Sequence, residues 1–351
     1  MFLSLPLLSC GVALSNAALP RDQHNQSVLT GELDILEHPS DGHYYVYVND
    51  WGVCPGIDCC GTPTGCASCC FRAITPPTCV ETSNHSVIVY RTPDFDTWEY
   101  LGVALPAEAR PAPRQIMYRP HVVYNARNSQ FVLWYLTYVP SPRSFAYAVA
   151  VSEASTGPFR VINTNVTMAT AAWKGDFDIF VDDDGTAYHV RTGFSIEELD
   201  ANFTGVTGRS TQFSTPKTSE APVFFKRRGV YYVLPNIECC SCHGGSNMFV
   251  FTAQGPLGPY AYQGDAGSNT SAPFDPFSPF NYPTRAQASA VVKLESQAGG
   301  EQFLWVGNQW DTSQAAGRPR NHDLLFFYPL EFDERANVRQ VRYERTVHVR
   351  V

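Results

Sequence analysis

Charge is scarce in this chain: Asp, Glu, Lys and Arg together make up 17% of its 351 residues. So low a share, beside 44% hydrophobic residues, excludes a disordered chain and a coiled coil. Basic residues are fewer than acidic ones, the formal charge is −8, and no extended Lys/Arg run offsets it. That balance repels nucleic acid and anionic membranes and favours a neutral or modestly charged ligand. Beyond the first residues no apolar stretch is long enough to cross a bilayer as a helix. Helical periodicity is nearly missing too, the nearest candidate being the short segment 195–202.

What the chain does have is a recurring hairpin, in which an apolar strand, a tight polar turn and a strand rich in Tyr, Val and Trp follow one another. Copies begin at Leu33-Asp34-Ile35-Leu36, His121-Val122-Val123-Tyr124, Phe177-Asp178-Ile179-Phe180, Pro222-Val223-Phe224-Phe225 and Ser289-Ala290-Val291-Val292. Further strands close each unit, and two closures are near copies, Gly157-Pro158-Phe159 and Gly258-Pro259-Tyr260. Five units of roughly 40–60 residues are the signature of an all-β, five-bladed β-propeller. A β-helix needs shorter repeats, and a sandwich does not explain the repeated closures. The expected organisation is a leader over 1–17 and one propeller domain over 27–351. Within blade one, residues 51–83 form an insertion rich in cysteine, and 104–114 form a Pro/Ala linker.

The compartment follows from cysteines and termini. The apolar run from Met1 ends in small residues, with Ser15-Asn16-Ala17 a candidate cleavage site, although a basic start is missing. A lipoprotein anchor at Cys10 is the alternative. Cys54, Cys59, Cys60, Cys66, Cys69, Cys70 and Cys79 crowd one segment, and Cys239, Cys240 and Cys242 another. In an exported chain these read as disulfides; zinc is the rival reading, but adjacent cysteine pairs suit it poorly. Sequons at Asn25, Asn84, Asn165, Asn202 and Asn269 agree with secretion and glycosylation.

In a propeller the first strand of every blade lines the axis, so polar residues at its start converge on one mouth. Those positions hold Glu32 or Asp34, Tyr118-Arg119, Asp176, Glu220 and Gln287. A carboxylate placed where a core residue belongs costs desolvation unless it is paired or used. Several acids in one pocket can supply a proton donor and a water-activating base. Trp310, Trp173 and Trp51 are candidates to stack on a ring-shaped ligand. Asp182-Asp183-Asp184-Gly185 could suggest structural calcium, but a hairpin turn accounts for it, and His322 reads as a core histidine rather than a ligand. No metal or redox or nucleotide cofactor is required by these residues.

Three segments resemble glycoside hydrolase family 43. Tyr118-Arg119-Pro120-His121-Val122-Val123-Tyr124-Asn125 is similar to its Arg-Pro-Lys-Val-x-Tyr-Asn motif. Asp176 through Gly185 is similar to its Asp-x-x-x-Phe-x-Asp-x-Asp-Gly segment, and Glu220-Ala221-Pro222 with Lys226, Gly229, Tyr231 and Tyr232 to its Glu-Ala-Pro segment. Gly307-Asn308-Gln309-Trp310 and Tyr328-Pro329-Leu330-Glu331-Phe332 are similar to the exo-β-1,3-galactanase branch. The resemblance implies an inverting, exo-acting glycosidase on a neutral galactan, arabinan or xylan, with Glu220 as general acid and Asp176 orienting it. The base is Asp34 or Glu32, and Gln287 is the alternative, for base or for water positioning. Arg119, Tyr118, Trp310 and Trp173 are expected to bind substrate. Tyr118 stands where that branch carries Glu, and a non-catalytic glycan-binding propeller is the alternative reading. Oligomeric state is not legible.

Overall fold

The computed structural model describes residues 11–50, 85–111, 116–139, 144–237, 246–267, 284, 286–295, 300–309 and 323–350. Tyr44–Asp50 shows how the sequence builds them. Alternate side chains of a strand leave on opposite faces. Tyr44, Val46 and Val48 join one buried cluster, and Tyr45 and Tyr47 join another. The strand is apolar on both faces because the sheet has a neighbour on each side. Gln130–Val139 repeats the arrangement, with Leu133 and Tyr135 facing one neighbour and Val132, Trp134 and Leu136 the other.

Each sheet is an antiparallel meander. Blade one comprises Leu33–Glu37, Tyr44–Asp50, Ser86–Thr92 and Glu99–Leu105; blade two comprises Ile116–Asn125, Gln130–Val139, Ser144–Ser152 and Arg160–Asn163. Blade three holds Phe177–Val181, Ala187–Arg191, Ser195–Leu199 and Val206–Gln212, and blade four holds Ser219–Arg227, Val230–Ile237, Phe249–Ala253 and Ala261–Asp265. Blade five has Gln287–Glu295, Glu301–Gln309 and Leu324–Pro329. The first strands touch one another in order, and the fifth returns to the first. Five hydrophobic clusters fill the five gaps between neighbouring blades. The all-β five-bladed propeller expected from the repeats is the fold.

The repeated closures have a common geometry. Gly157-Pro158 and Gly258-Pro259 are both cis peptides preceded by a left-handed glycine. At Gly157 a side chain is excluded twice over: φ is +80°, and an added Cβ would lie 2.5 Å from the carbonyl oxygen of Ala104.

Two further segments take a defined place in the fold. Residues 195–202 contain no helix. Ser195–Leu199 is a strand in which Glu197 turns inward onto Arg191, 2.6 Å away and equally buried. Ile196 and Leu199 enter the clusters on either side. Residues 11–17, expected within a leader, are used by the ring. Gly11–Ser15 pairs antiparallel with Thr346–Arg350, and Leu14, Val347 and Val349 enter the core between blades five and one. Asn16 is fully buried; its amide donates to the carbonyls of Phe327 and Glu344, and its side-chain oxygen accepts from the Phe327 N–H. A boundary after residue 17 would cut this ribbon away. The only helical segment among the described residues is the 3-10 turn Ala107–Ala109 in the expected linker. The cysteine-bearing segments 51–83 and 239–242, together with Trp51, Trp310 and His322, lie outside the described residues.

Candidate active site

The five innermost strands run the same way along the axis, so their starts share one mouth and their ends the other. At three starts a β-bulge interrupts the ladder, between Tyr118 and His121, Glu220 and Val223, and Ala288 and Ala290. A bulge leaves a residue unpaired and re-aims side chains. Arg119 and Ala221, beside two of these interruptions, have positive φ of 51° and 47°.

A cleft of about 680 Å³ opens at this mouth, and Glu32, Tyr118, Trp173, Asp176, Glu220 and Gln287 all line it. Arg119 organises its acids. Its backbone N–H donates to Glu32 Oε2 at 2.9 Å, its Nη2 donates to Asp176 Oδ2 at 3.0 Å, and its Nη1 donates to the carbonyl of Ala288 at 2.6 Å. Nε of Arg119 is 3.8 Å from Glu32 Oε1. Burial opposes the charge on Arg119, but Asp176, Glu32 and Glu220 around it outweigh burial and push its pKa above the usual arginine value. One fixed cation from blade two therefore holds a carboxylate from blade one and another from blade three. Glu220, from blade four, accepts a 2.5 Å hydrogen bond from the Gln287 amide of blade five.

Asparagines at the ends of second strands tie this mouth together. The Asn49 amide donates to the Met117 carbonyl at 2.8 Å, Asn236 Oδ1 accepts from the Ala288 N–H at 2.6 Å, and Asn308 donates to the Thr30 carbonyl. Each joins one blade to the next. The repeat contains the signal, an Asn where each of these strands leaves the apolar core, but only a blade alignment makes it visible.

Asp34 is placed away from these acids. It lies two residues further along its strand, in a second cavity of about 450 Å³ at the other end of the axis. Its Oδ2 accepts from the Val122 N–H at 2.8 Å; Asp178 does the same for the Phe224 N–H two blades on, at 2.6 Å. Between them stands His121, with Nδ1 3.3 Å from Asp34 and 3.2 Å from Asp178, and Nε2 3.0 Å from the Ile179 carbonyl. Burial pushes the carboxyl of Asp34 up to about 7 and that of Asp178 up to about 6, and it pushes the His121 imidazole down. These groups form a buried cluster of two carboxyls and an imidazole, and Glu32 is the blade-one acid at the cleft.

In the acidic turn after Phe177–Val181, Lys226 donates to Asp182 at 2.7 Å and to Asp183 at 2.9 Å, and Asp184 accepts from the Thr186 N–H. Among the described residues no cluster of three or more His, Cys, Asp or Glu could hold a metal ion. The sequons Asn25, Asn165 and Asn202 are exposed, and Asn84 and Asn269 lie outside the described residues.

Carboxylates from three blades, gathered on the axis of a five-bladed propeller beside an aromatic wall, define the class: a glycosidase of propeller fold. The chain belongs to glycosyl hydrolases family 43, whose family model matches residues 78–278, more than half of it. The match contains Tyr118, Arg119, Asp176 and Glu220; Glu32 and Gln287 lie to either side. No curated protein matches the chain. Among solved structures it is similar to an exo-β-1,3-galactanase from Clostridium thermocellum at 18% identity, covering 97% of this chain and 68% of that one with a TM-score of 0.72. It is similar to an exo-β-1,3-galactanase from Phanerochaete chrysosporium with β-1,3-galactotriose at 20% identity, covering 97% and 70% with a TM-score of 0.70. A family 43 β-1,3-galactosidase with galactodeoxynojirimycin has 19% identity, coverages of 95% and 99% and a TM-score of 0.68. At these identities the likeness carries the fold.

Proposed function

We propose that this protein is a secreted, exo-acting, inverting glycosidase that releases galactose from a β-1,3-galactan-type chain. The observation that carries the reading is the meeting of Glu32, Asp176 and Glu220 in one cleft with Arg119 among them. Glu220 is the general acid, donating its proton to the leaving oxygen. Glu32 is the base: Arg119 fixes one of its oxygens and the carboxylate lines the cleft, where it can take a proton from water on the far side of the sugar. Asp176 is a positioning residue, acting through Arg119. Gln287 holds Glu220 in place and is not asked to remove a proton. The galactanase and galactosidase activities of the structural relatives support the galactan-type substrate, and exposed sequons at Asn25, Asn165 and Asn202 support secretion.

The test compares wild type, Glu220→Gln and Glu32→Gln on β-1,3-galacto-oligosaccharides and on a dinitrophenyl β-galactoside, whose leaving group needs no acid. Both variants lose about a thousandfold or more on the oligosaccharides. Glu220→Gln recovers much of that loss on the activated substrate and Glu32→Gln does not. Proton NMR of the first product shows the α-anomer. Equal losses on both substrates for Glu220→Gln, or a β-anomer, refutes the assignment.

A further inference from the structure

The proposed chemistry uses the floor of the cleft and leaves one wall unexplained. From the floor to the rim runs a chain of aromatic rings. Tyr118 meets Tyr138 at 6.5 Å between centroids, Tyr138 stacks on Phe145 at 4.6 Å, and Phe145 meets Trp173 at 5.5 Å. The first three are partly buried, whereas Trp173 is 54% exposed, more than any other large hydrophobic residue among those described.

An indole left in water forgoes stabilisation that burial would supply, and nothing about its segment leaves it loose. Two residues on, Gly175 is gripped by the buried hydroxyl of Tyr147, which donates to its carbonyl at 2.8 Å and accepts from its N–H at 3.0 Å. An added Cβ on Gly175 would stand 2.9 Å from the Thr192 side chain, and one on Gly193 would stand 3.1 Å from the Trp173 backbone nitrogen. Two glycines and a tyrosine thus seat the Trp173 segment tightly against the end of the second strand of blade three. The ring is held at the rim in advance of any ligand.

We propose that Trp173, backed by Phe145 and Tyr138, is the platform on which the sugar units of the leaving group stack, and that it sets a preference for chains over single glycosides. The proposal rests on the exo-acting reading: if the terminal sugar sits at the floor among Glu32, Asp176 and Glu220, the remainder of the chain must leave past the rim. A β-linked galactosyl unit presents an apolar C–H face to an aromatic ring, and its other edge offers hydroxyls to polar side chains such as Ser214, Thr215 and Thr218, which also line the cleft. Trp173 is a specificity residue and touches none of the reacting atoms.

The experiment compares wild type, Trp173→Ala and Trp173→Phe on β-1,3-galactotriose and on β-galactosyl fluoride, whose leaving group is too small to reach the platform. Trp173→Ala raises KM for the trisaccharide about tenfold, the worth of one ring contact. Its loss of kcat/KM on the trisaccharide exceeds that on the fluoride at least fivefold, and Trp173→Phe restores most of the difference. Equal losses on the two substrates, or no loss on either, overturns the platform. If wild type turns over no galactoside, the functional reading fails separately, and the platform is tested by binding to an array of plant and algal oligosaccharides. Chain-length-dependent binding that Trp173→Ala abolishes supports it, while equal binding by both proteins, or binding by neither, overturns it.

Discussion

Replacing Asp34 by Asn tests whether the far end of the axis is held by a neutral acid. The asparagine keeps an oxygen for the Val122 N–H and supplies an amide hydrogen toward His121, so shape and both contacts survive. Only ionisation is removed. Asp34 titrates at about 7 in the folded protein against 3.8 for a free side chain, because burial disfavours its charge. A raised carboxyl pKa means that the folded state holds its proton more tightly than the unfolded one. Stability from this group is therefore fully present below about 3.8 and is lost as pH rises through about 7. The difference between those two values corresponds to about 4 kcal/mol across that window. The charged and titratable neighbours are His121, Asp178 and Tyr47, all retained in the variant. Asp178, also raised, loses stability in the same direction, and His121, lowered, opposes it; because the Asp34 charge helps to raise Asp178, the difference between the two proteins reports Asp34 together with its coupling to Asp178. Urea unfolding followed by tryptophan fluorescence between pH 4.5 and 8 shows the variant gaining on wild type as pH rises, by several kcal/mol at the upper end. A constant gap across that range refutes the reasoning. It would mean that Asp34 is ionised throughout and that His121 carries the proton.

Two further predictions concern the mouth and the closure of the ring. Gln287→Glu puts a carboxylate where the amide donates to Glu220, and like charges resist ionisation together. The alkaline limb of the kcat/KM profile moves to higher pH, while a profile unmoved shows that Glu220 is not the acid it reports. A chain beginning at Ala18 unfolds at a temperature at least about 5 °C lower than one beginning at Gly11, since it loses the Leu14 packing, the Asn16 hydrogen bonds and the partner of Thr346–Arg350. Coincident melting curves would show that the ribbon contributes nothing.

The propeller was legible because its signal is redundant. Each blade repeats the same alternation of apolar residues on a strand covered on both faces, so an error in one copy does not change the reading. The base was ambiguous because the pleat cannot separate Glu32 from Asp34. Residues two apart leave a strand on the same side, and only depth along the axis, about 6–7 Å between them, distinguishes mouth from interior. Yet Glu32-Leu33-Asp34-Ile35-Leu36 and Asp176-Phe177-Asp178-Ile179-Phe180 are one pattern. Aligned, they match Glu32 with Asp176 at the cleft and Asp34 with Asp178 on the backbone of the following blade, as the hydrogen bonds show. The strand Ser195–Leu199 was illegible for a different reason. Its helix-like Ser-Ile-Glu-Glu-Leu is overridden by pairing with the strands on either side and by the buried Arg191–Glu197 ion pair across the hairpin, which helical periodicity does not register. The pairing of Gly11–Ser15 with Thr346–Arg350 is illegible locally because its two strands lie at opposite ends of the sequence.

The scarcity of charge in the chain sharpens the meaning of where charge is kept. At the cleft the carboxylates of Glu32 and Asp176 lie against one guanidinium, and Glu220 beside them holds the proton that the proposed reaction gives to the leaving oxygen. An anionic sugar would meet repulsion from that balance. A neutral sugar meets little until its ring carbon begins to lose the leaving oxygen and acquires positive character. The acids then gain an interaction that the ground state lacks, which is what lowers a barrier rather than tightening binding. Arg119 stops that field from becoming prohibitive in the empty protein, and because it draws on Glu32 and Asp176 together, it also keeps their oxygens from following the substrate. The low overall charge, read first as an exclusion, is thus the background against which the proposed neutral glycan would be held over a site of net negative charge.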